Sequence, residues 1–339
     1  MSECRVGSIK MDNCMDIVAG IDLGGTDTKF GLVNKKGDLL AYHSIPTDPN
    51  IGYQPFFELL GREIEQLMLS IGDGYHLAGV SVGAPSGNQK NGTIDSASNL
   101  KWPEKLPIAD ILNSIFGLPV SVSNDANAAA LGEMYYGLGK GVKDLICITL
   151  GTGLGCGIIS NGSLITGSNG HAGEMGHVIA VENGRQCTCG RLGCLETYVS
   201  ATGMVRSVLE TDPDILQRSL LGNLNRKSLT SKKITSAAME GDELALEVFD
   251  ATAKVLGKTL ANSVALLNPN LIILTGGLAR AGKYLLEPTK RYVNHYLLDM
   301  YKGSVEIKTS EMNNKKTAIL GAAAFMWLKL ENVSQTTFQ

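Results

Sequence analysis

IVAGIDLGGTDTKFGLV at residues 17–33 and LICITLGTGLGCGII at residues 145–159 share one pattern: an apolar run, a Gly/Thr turn opening at Leu-Gly, and a second apolar run. Each reads as a β-hairpin. Superposing Leu23-Gly24 on Leu150-Gly151 sets the copies 127 residues apart, enough for each to head its own domain, and an internal duplication is the economical explanation. Two unrelated hairpins would also share Gly and Thr, which suit tight turns. Both turns nevertheless offer backbone N–H groups and hydroxyls at a density suited to holding a phosphate chain from two sides. Neither is a G-x-G-x-x-G or P-loop sequence, so Rossmann and Walker sites are not expected.

Between the hairpins the pattern predicts a helix near 53–70, a strand near 77–83, the turn-rich loop SVGAPSGNQKNGTIDSASNLKWP and a strand ending in SVSNDANAAALGE. Alternating strands and helices argue an α/β architecture. Farther on, residues 234–268 carry Leu244, Val248, Phe249, Leu256, Leu260, Val264 and Leu267 at helical spacing, and Pro269 stops the run. LIILTGGLA (271–279) is expected as a buried strand breaking at Gly276-Gly277 into a helix. In the terminal helix AILGAAAFMWLKL, the small residues Gly321 to Ala324 imply close packing.

The chain has 339 residues, 44% of them hydrophobic, enough for a large core and about two domains. Thirty basic and thirty-three acidic residues give a net charge of −3 without a long Lys/Arg cluster, which argues against nucleic acid as a partner. No stretch stays apolar long enough to span a bilayer, so no membrane partner is expected. The first sixteen residues hold no apolar targeting core, and free cysteines without a signal peptide point to a reducing cytoplasm. Forty glycines cluster at strand ends, where backbone loops can approach a ligand.

HAGEMGHVIAVENGRQCTCGRLGCLE (171–196) holds His177, Cys187, Cys189 and Cys194, one imidazole and three thiols within eighteen residues. That donor set suits a closed tetrahedral Zn²⁺ site. Gly184, Gly190 and Gly193 give the loop the freedom a Cys-x-Cys pair needs to close on one ion. The alternatives, buried apolar cysteines or disulfides, fit the spacing poorly. Glu174 and Glu196 flank the ligands without being needed for them, so the knuckle could be a rigid mount that aims Glu174, His177 and Glu196 at a polar ligand. Cys4, Cys14, Cys147 and Cys156 lack ligand spacing, and the last two sit in apolar runs.

Asp125, where a β-like run meets an alanine-rich helix, reads either as an N-cap or as a general base, and the roles are compatible, because a helix N-terminus keeps a carboxylate ionised. Asp22 is either a turn-starting residue or, beside Gly24-Gly25-Thr26, a carboxylate for Mg²⁺. Lys29 is either a solvated lysine or a phosphate neutraliser. Gly276-Gly277 is either a strand-to-helix turn or a place for adenosine to lie against backbone.

Taken together, the chain from about Ile17 to Leu330 resembles the ROK sugar kinases of the actin-like ATPase superfamily. The resemblance rests on Asp22-Leu23-Gly24-Gly25-Thr26, Asn124-Asp125-Ala126-Asn127-Ala128, Gly151-Thr152-Gly153, Glu174-Met175-Gly176-His177, the Cys187-Thr188-Cys189-Gly190-Arg191-x-Gly193-Cys194-Leu195-Glu196 knuckle and Thr275-Gly276-Gly277, in that order. It implies two actin-like (ribonuclease H-like) α/β domains with an inter-domain cleft and a zinc knuckle. The expected boundaries are an extension over 1–15, a small domain over 16–122 completed by a helix near 317–330, and a large domain over 123–316 with the knuckle at 177–194. By the same resemblance Asp125 is the catalytic base, and Asn99, Asn124, Glu174, His177 and Glu196 bind sugar hydroxyls, His177 using its second ring nitrogen. ATP with Mg²⁺ lies on Asp22, Gly24, Gly25, Thr26, Lys29, Gly151, Thr152, Gly153, Gly276 and Gly277. Zinc is structural, and the assembly is a homodimer or larger. The chain departs from the family at Asn88, where many members carry Asp after a Gly-Pro-Gly-like turn, and this bears on sugar preference.

The implied activity is ATP-dependent phosphorylation of a hexose, glucose first, with N-acetylglucosamine or N-acetylmannosamine as the nearest rivals. A non-catalytic sugar-sensing regulator of the same family is the more distant rival. Such regulators place a helix-turn-helix module before the first phosphate motif, and about fifteen residues are too few for one.

Overall fold

The computed structural model describes residues 4–6, 9–11, 14–48, 50–95, 102–312 and 314–336. The chain divides into two compact units: Met1–Lys140, Thr166–Ala172 and Lys315–Gln339 form the first, Gly141–Ile165 and Gly173–Asn314 the second.

In the first unit β1 (Cys4–Val6) and β2 (Ile9–Met11) pair with each other. The five-stranded sheet follows from β3 (Met15–Leu23), β4 (Asp27–Asn34), β5 (Leu39–Pro46), then α1 (Tyr53–Ser70) and β6 (Tyr75–Ala84). The short strands β7 (Gly87–Asn88), β8 (Thr93–Asp95) and β9 (Lys105–Leu106) form a side sheet ahead of α2 (Ile108–Phe116), β10 (Val120–Asn124) and α3 (Asp125–Tyr136). The main sheet runs β10-β6-β3-β4-β5, with β3 parallel to β6 and antiparallel to β4. Central β3 is apolar almost throughout because both of its faces are covered. Ile17, Ala19 and Ile21 join Phe56, Phe57 and Leu60 of α1 on one side. Val18, on the other, joins Ile319, Ala323 and Met326.

The second unit begins with β11 (Leu145–Leu150), β12 (Leu154–Ser160) and β13 (Ser163–Leu164), then the knuckle, α4 (Ala201–Leu209), α5 (Pro213–Arg218), α6 (Ser231–Met239) and α7 (Glu243–Leu267). It closes with β14 (Leu271–Thr275), α8 (Lys283–Tyr296) and β15 (Glu306–Thr309). Its sheet runs β13-β12-β11-β14-β15, β11 being antiparallel to β12 and parallel to β14. Numbered within each unit, both sheets have the order 3-2-1-4-5 with only the second strand reversed, the ribonuclease H-like arrangement. The paired hairpins of the sequence head these two sheets. The helical run expected over 234–268 is two helices, because Gly241 takes φ +86° and Asp242 then caps α7 through Ala245 N–H at 2.9 Å. Asn268, at φ +45°, ends α7 before Pro269.

The chain returns to the first unit in α9 (Asn314–Thr336). A Cβ on Gly321 would stand 2.1 Å from the Ala128 carbonyl oxygen, and one on Gly20 2.3 Å from that of Ile319, so α9 lies directly on both α3 and β3. α3, placed by sequence at the head of the second domain, therefore belongs to the first unit. Its strand β10 pairs with β6, and its small-residue face is covered by α9.

Candidate active site and metal centre

In the first unit the chemistry gathers at the C-terminal ends of β3 and β10. The β3–β4 turn is closed by Gly24 N–H donating to Asp27 O at 3.2 Å, leaving Gly25 and Thr26 exposed. Asp22 lies opposite Lys29 across the hairpin, with Nζ 3.9 Å from Oδ2. Burial raises the Asp22 carboxyl above its usual range, Lys29 pulls it back, and the charge of Asp125 pushes it up again. Asp22 and Asp125 are thus within electrostatic reach of one another. The cap of α3 is Asn124, whose Oδ1 accepts from Ala126 N–H at 2.8 Å. Asp125 is therefore the first helical residue rather than the cap. It is exposed, and its Oδ1 also accepts from Ala126 N–H at 2.8 Å. Capping engages the Asn124 side-chain oxygen rather than its amide NH₂. Asn99 lies outside the described residues.

Asn88 has a structural task. It is 1% exposed; its Nδ2 donates to Asp95 Oδ2 and to Asn169 O, each at 3.1 Å, and its Oδ1 accepts from Lys90 N–H at 3.1 Å. It clamps the β7–β8 hairpin to residues 166–172 of the same unit.

In the second unit the β11–β12 turn closes with Gly151 N–H donating to Gly153 O at 3.0 Å, one residue shorter than its counterpart. The first turn of α4 holds it: Ala201 N–H donates to Gly151 O at 2.9 Å and Thr202 Oγ1 to Thr152 O at 2.7 Å. A Cβ on Gly153 would lie 2.7 Å from Glu196 Oε2, so the Glu196 carboxylate rests on this turn. Gly276, at φ +93°, passes against the Leu150 backbone, where a Cβ would come within 2.5 Å of the carbonyl oxygen, while Gly277 faces open space. The second hairpin, Gly276-Gly277 and Glu196 therefore share one region of this unit.

The knuckle brings its four donors within 4.8 Å of one another. Cys189 and Cys194 Sγ are 3.6 Å apart, and Cys187 Sγ is 3.7 Å from His177 Nδ1. A tetrahedral ion with Zn–S bonds of about 2.3 Å spaces its sulfurs roughly 3.8 Å apart, so the donors fit zinc in distance as well as in kind. Left to the polypeptide alone the thiols differ: burial pushes Cys187 up to about 12, while the Arg191 backbone N–H brings exposed Cys189 down to about 6. A divalent cation would hold all three as thiolates. Gly190 and Gly193 take positive φ, whereas Gly184 serves by size, because a Cβ there would strike Tyr198 Oη at 2.2 Å. Cys147, Cys156, Cys187, Cys189 and Cys194 are thiols outside any disulfide and Cys14 is disulfide-bonded, so the expectation of reduced cysteines fails at Cys14.

With Nδ1 toward the sulfurs, His177 turns Nε2 toward Glu174 Oε2 at 3.9 Å. Glu196 Oε1 lies 3.8 Å from His177 Nδ1 and accepts from the Cys187 thiol at 3.2 Å. Both carboxylates thus flank the four donors, Glu174 with 59% of its side chain exposed and Glu196 with 20%. Arg185, which carries no motif signal, is a residue that sequence reasoning passed over.

The ROK family model matches residues 18–329. The chain is 37% identical over 310 residues to a glucokinase of Halalkalibacterium halodurans, covering 89% of this chain and 92% of that one. It is 33% identical over 310 residues to a glucokinase of Thermotoga maritima, covering 91% and 96%. A crystal structure of a ROK family glucokinase from Streptomyces griseus, in complex with glucose and AMPPNP, superposes with a TM-score of 0.74 at 32% identity, covering 91% of this chain and 98% of that one. With the family model spanning most of its length, on two sheets of ribonuclease H-like order, this chain belongs to the ROK family.

Proposed function

We propose that the protein is an ATP-dependent glucokinase, transferring the γ-phosphoryl group of ATP to a hexose, glucose first, to give glucose 6-phosphate and ADP. The observation that carries the mechanism is Asp125: an exposed carboxylate at the start of α3, within electrostatic reach of Asp22 at the end of β3. Asp125 takes the proton of the attacking hydroxyl while the new O–P bond forms and the bond from the γ-phosphorus to the bridging oxygen breaks, ADP leaving with that electron pair. Lys29 and the backbone N–H groups of Gly24, Gly25, Thr26 and Gly151 to Gly153 hold and neutralise phosphate oxygens. Gly277, open on its outer side, leaves room for adenosine. Mg²⁺ would be held at Asp22, whose carboxyl is raised by burial and by the charge of Asp125, and would supply further neutralisation. Asn99, Asn124, Glu174, Glu196 and His177 Nε2 bind the remaining hydroxyls, and zinc on His177 Nδ1 and the three cysteines keeps the knuckle folded.

A homodimer or larger assembly is proposed as well, and light scattering tests it. The net charge of −3 supports small molecules rather than nucleic acid as partners. Among the described residues no helix is long and apolar enough to cross a membrane, and reduced knuckle thiols suit a cytoplasmic setting. The reading is tested by coupled ADP release with ATP and Mg²⁺ over glucose, fructose, mannose and the N-acetylhexosamines, with glucose expected to give the highest kcat/KM. An N-acetylhexosamine in first place would make this an amino-sugar kinase. Binding of sugars without turnover would make it a sensor.

A further inference from the structure

Arg185 precedes the Cys-x-Cys pair by two residues, and its side chain is 11% exposed. Nη1 donates to Thr197 O at 2.7 Å and to Gly203 O at 3.1 Å, Nη2 donates to Ser207 Oγ at 3.0 Å, and Nε donates to Glu210 Oε2 at 2.8 Å. The guanidinium carbon lies over the Tyr198 ring, 4.5 Å from its centroid, and the Tyr198 hydroxyl accepts from the Arg185 backbone N–H at 2.8 Å. This is the forked, stacked use of arginine that a lysine cannot reproduce.

The atoms it joins are informative. Thr197 directly follows Glu196, and Gly203 lies in the first turn of α4, packed so closely that a Cβ would be 2.9 Å from the Thr197 carbonyl. Ser200, the α4 cap, donates to Glu196 O at 2.7 Å, and the next two residues hold the Gly151–Gly153 turn on which the Glu196 carboxylate rests. Glu196 thus sits on a ledge of one turn and one helix start, and the Arg185 side chain ties the residue after Glu196 to that helix.

We infer that Arg185 is a positioning residue for glucose: by fastening Thr197 to α4 it fixes the direction of the Glu196 carboxylate. This rests on the reading of Glu196 as a sugar ligand. Arg185 touches neither substrate. Its loss leaves the zinc donors in place and lets the Glu196 carboxylate wander, so glucose binding suffers before the chemistry does.

The test compares Arg185→Met, Arg185→Lys, Glu210→Gln and Glu196→Ala with the parent enzyme, well below each melting temperature. It reads glucose KM, ATP KM, kcat, Tm and bound zinc. Arg185→Met is expected to raise glucose KM about tenfold, with kcat within about threefold, ATP KM nearly unchanged and zinc retained. Arg185→Lys should recover part of the loss, and Glu210→Gln, which loosens the Nε–Nη2 edge of the guanidinium and also the Arg206 pair but keeps the bonds to Thr197 and Gly203, should show a smaller rise of the same kind. Should Arg185→Met fail to fold, Arg185→Lys and Glu210→Gln carry the test. A lower Tm with unchanged glucose KM in the folded variants, while Glu196→Ala raises glucose KM, would overturn the role of Arg185. An unchanged glucose KM in Glu196→Ala would instead overturn the sugar role of Glu196, and this inference with it.

Discussion

Asp125 carries its carboxylate on the first turn of α3, one residue past the cap that Asn124 supplies. The two roles that compete for an Asp at a helix start are thereby divided between neighbours. Asp125→Asn should fold and bind both substrates yet lose at least about 10²-fold in kcat, because the amide cannot accept the hydroxyl proton. Turnover near the parent rate, measured by coupled ADP release, would remove Asp125 as the base. On the proposed sugar-binding role, Glu174→Ala and Glu196→Ala should weaken glucose more than ATP, by about 1 to 3 kcal/mol each, with the larger effect at the less exposed Glu196. Binding calorimetry separates the two substrates. Equal losses for both would mean that the knuckle had collapsed. The turn and helix-start positions of Asp22 and Asp125 and the clustering of the knuckle's four donors were legible in the sequence, because each sits in a local motif that neighbouring residues define. Arg185 was not, since its acceptors lie 12 to 25 residues away and nothing near it marks them.

At the scale of the element, α9 depends on small residues at one crossing. Gly132 faces Gly321, where a Cβ would stand 3.1 Å from the Gly321 Cα, and a Cβ on Gly321 would meet the Ala128 carbonyl at 2.1 Å. Gly321→Val should therefore force α9 off α3, lowering Tm by several degrees or preventing folding. Thermal unfolding measures this, and a Tm within a degree of the parent would show that the helices can separate at little cost. The small-residue stripe read from the sequence predicted close packing but not its partner. Helical periodicity likewise ran through Gly241, because a break between α6 and α7 conserves apolar spacing on either side. Only the positive φ at Gly241 and the Asp242 cap reveal it.

Over the whole molecule, the two units have separate cores, Ile17, Phe56 and Val80 in one, Ile146, Leu195 and Phe249 in the other. The His177, Cys187, Cys189 and Cys194 cluster, the proposed zinc site, lies in the second. Metal analysis is expected to find about one zinc per chain. Stripping it should lower the Tm and raise amide exchange around residues 151–153 and 177–202, while the β3 core keeps its protection. Mass spectrometry of the exchanged protein reads both. Exchange rising equally in β3, or a stripped protein as stable as the parent, would remove zinc as a local scaffold. From the sequence alone came the paired hairpins with their Gly/Thr turns, the alternation of strand and helix, and the one-histidine, three-cysteine cluster. Each is written within a dozen or two neighbouring residues, where alternation, turn chemistry and ligand spacing act directly. Tertiary structure alone decided that α3 lies in the first unit under α9, that Asn88 clamps a segment some eighty residues away, and that Glu196 rests on the second hairpin. Those outcomes depend on which distant surfaces meet as the two sheets bury their faces, and a contact between remote residues leaves no periodic trace in either segment.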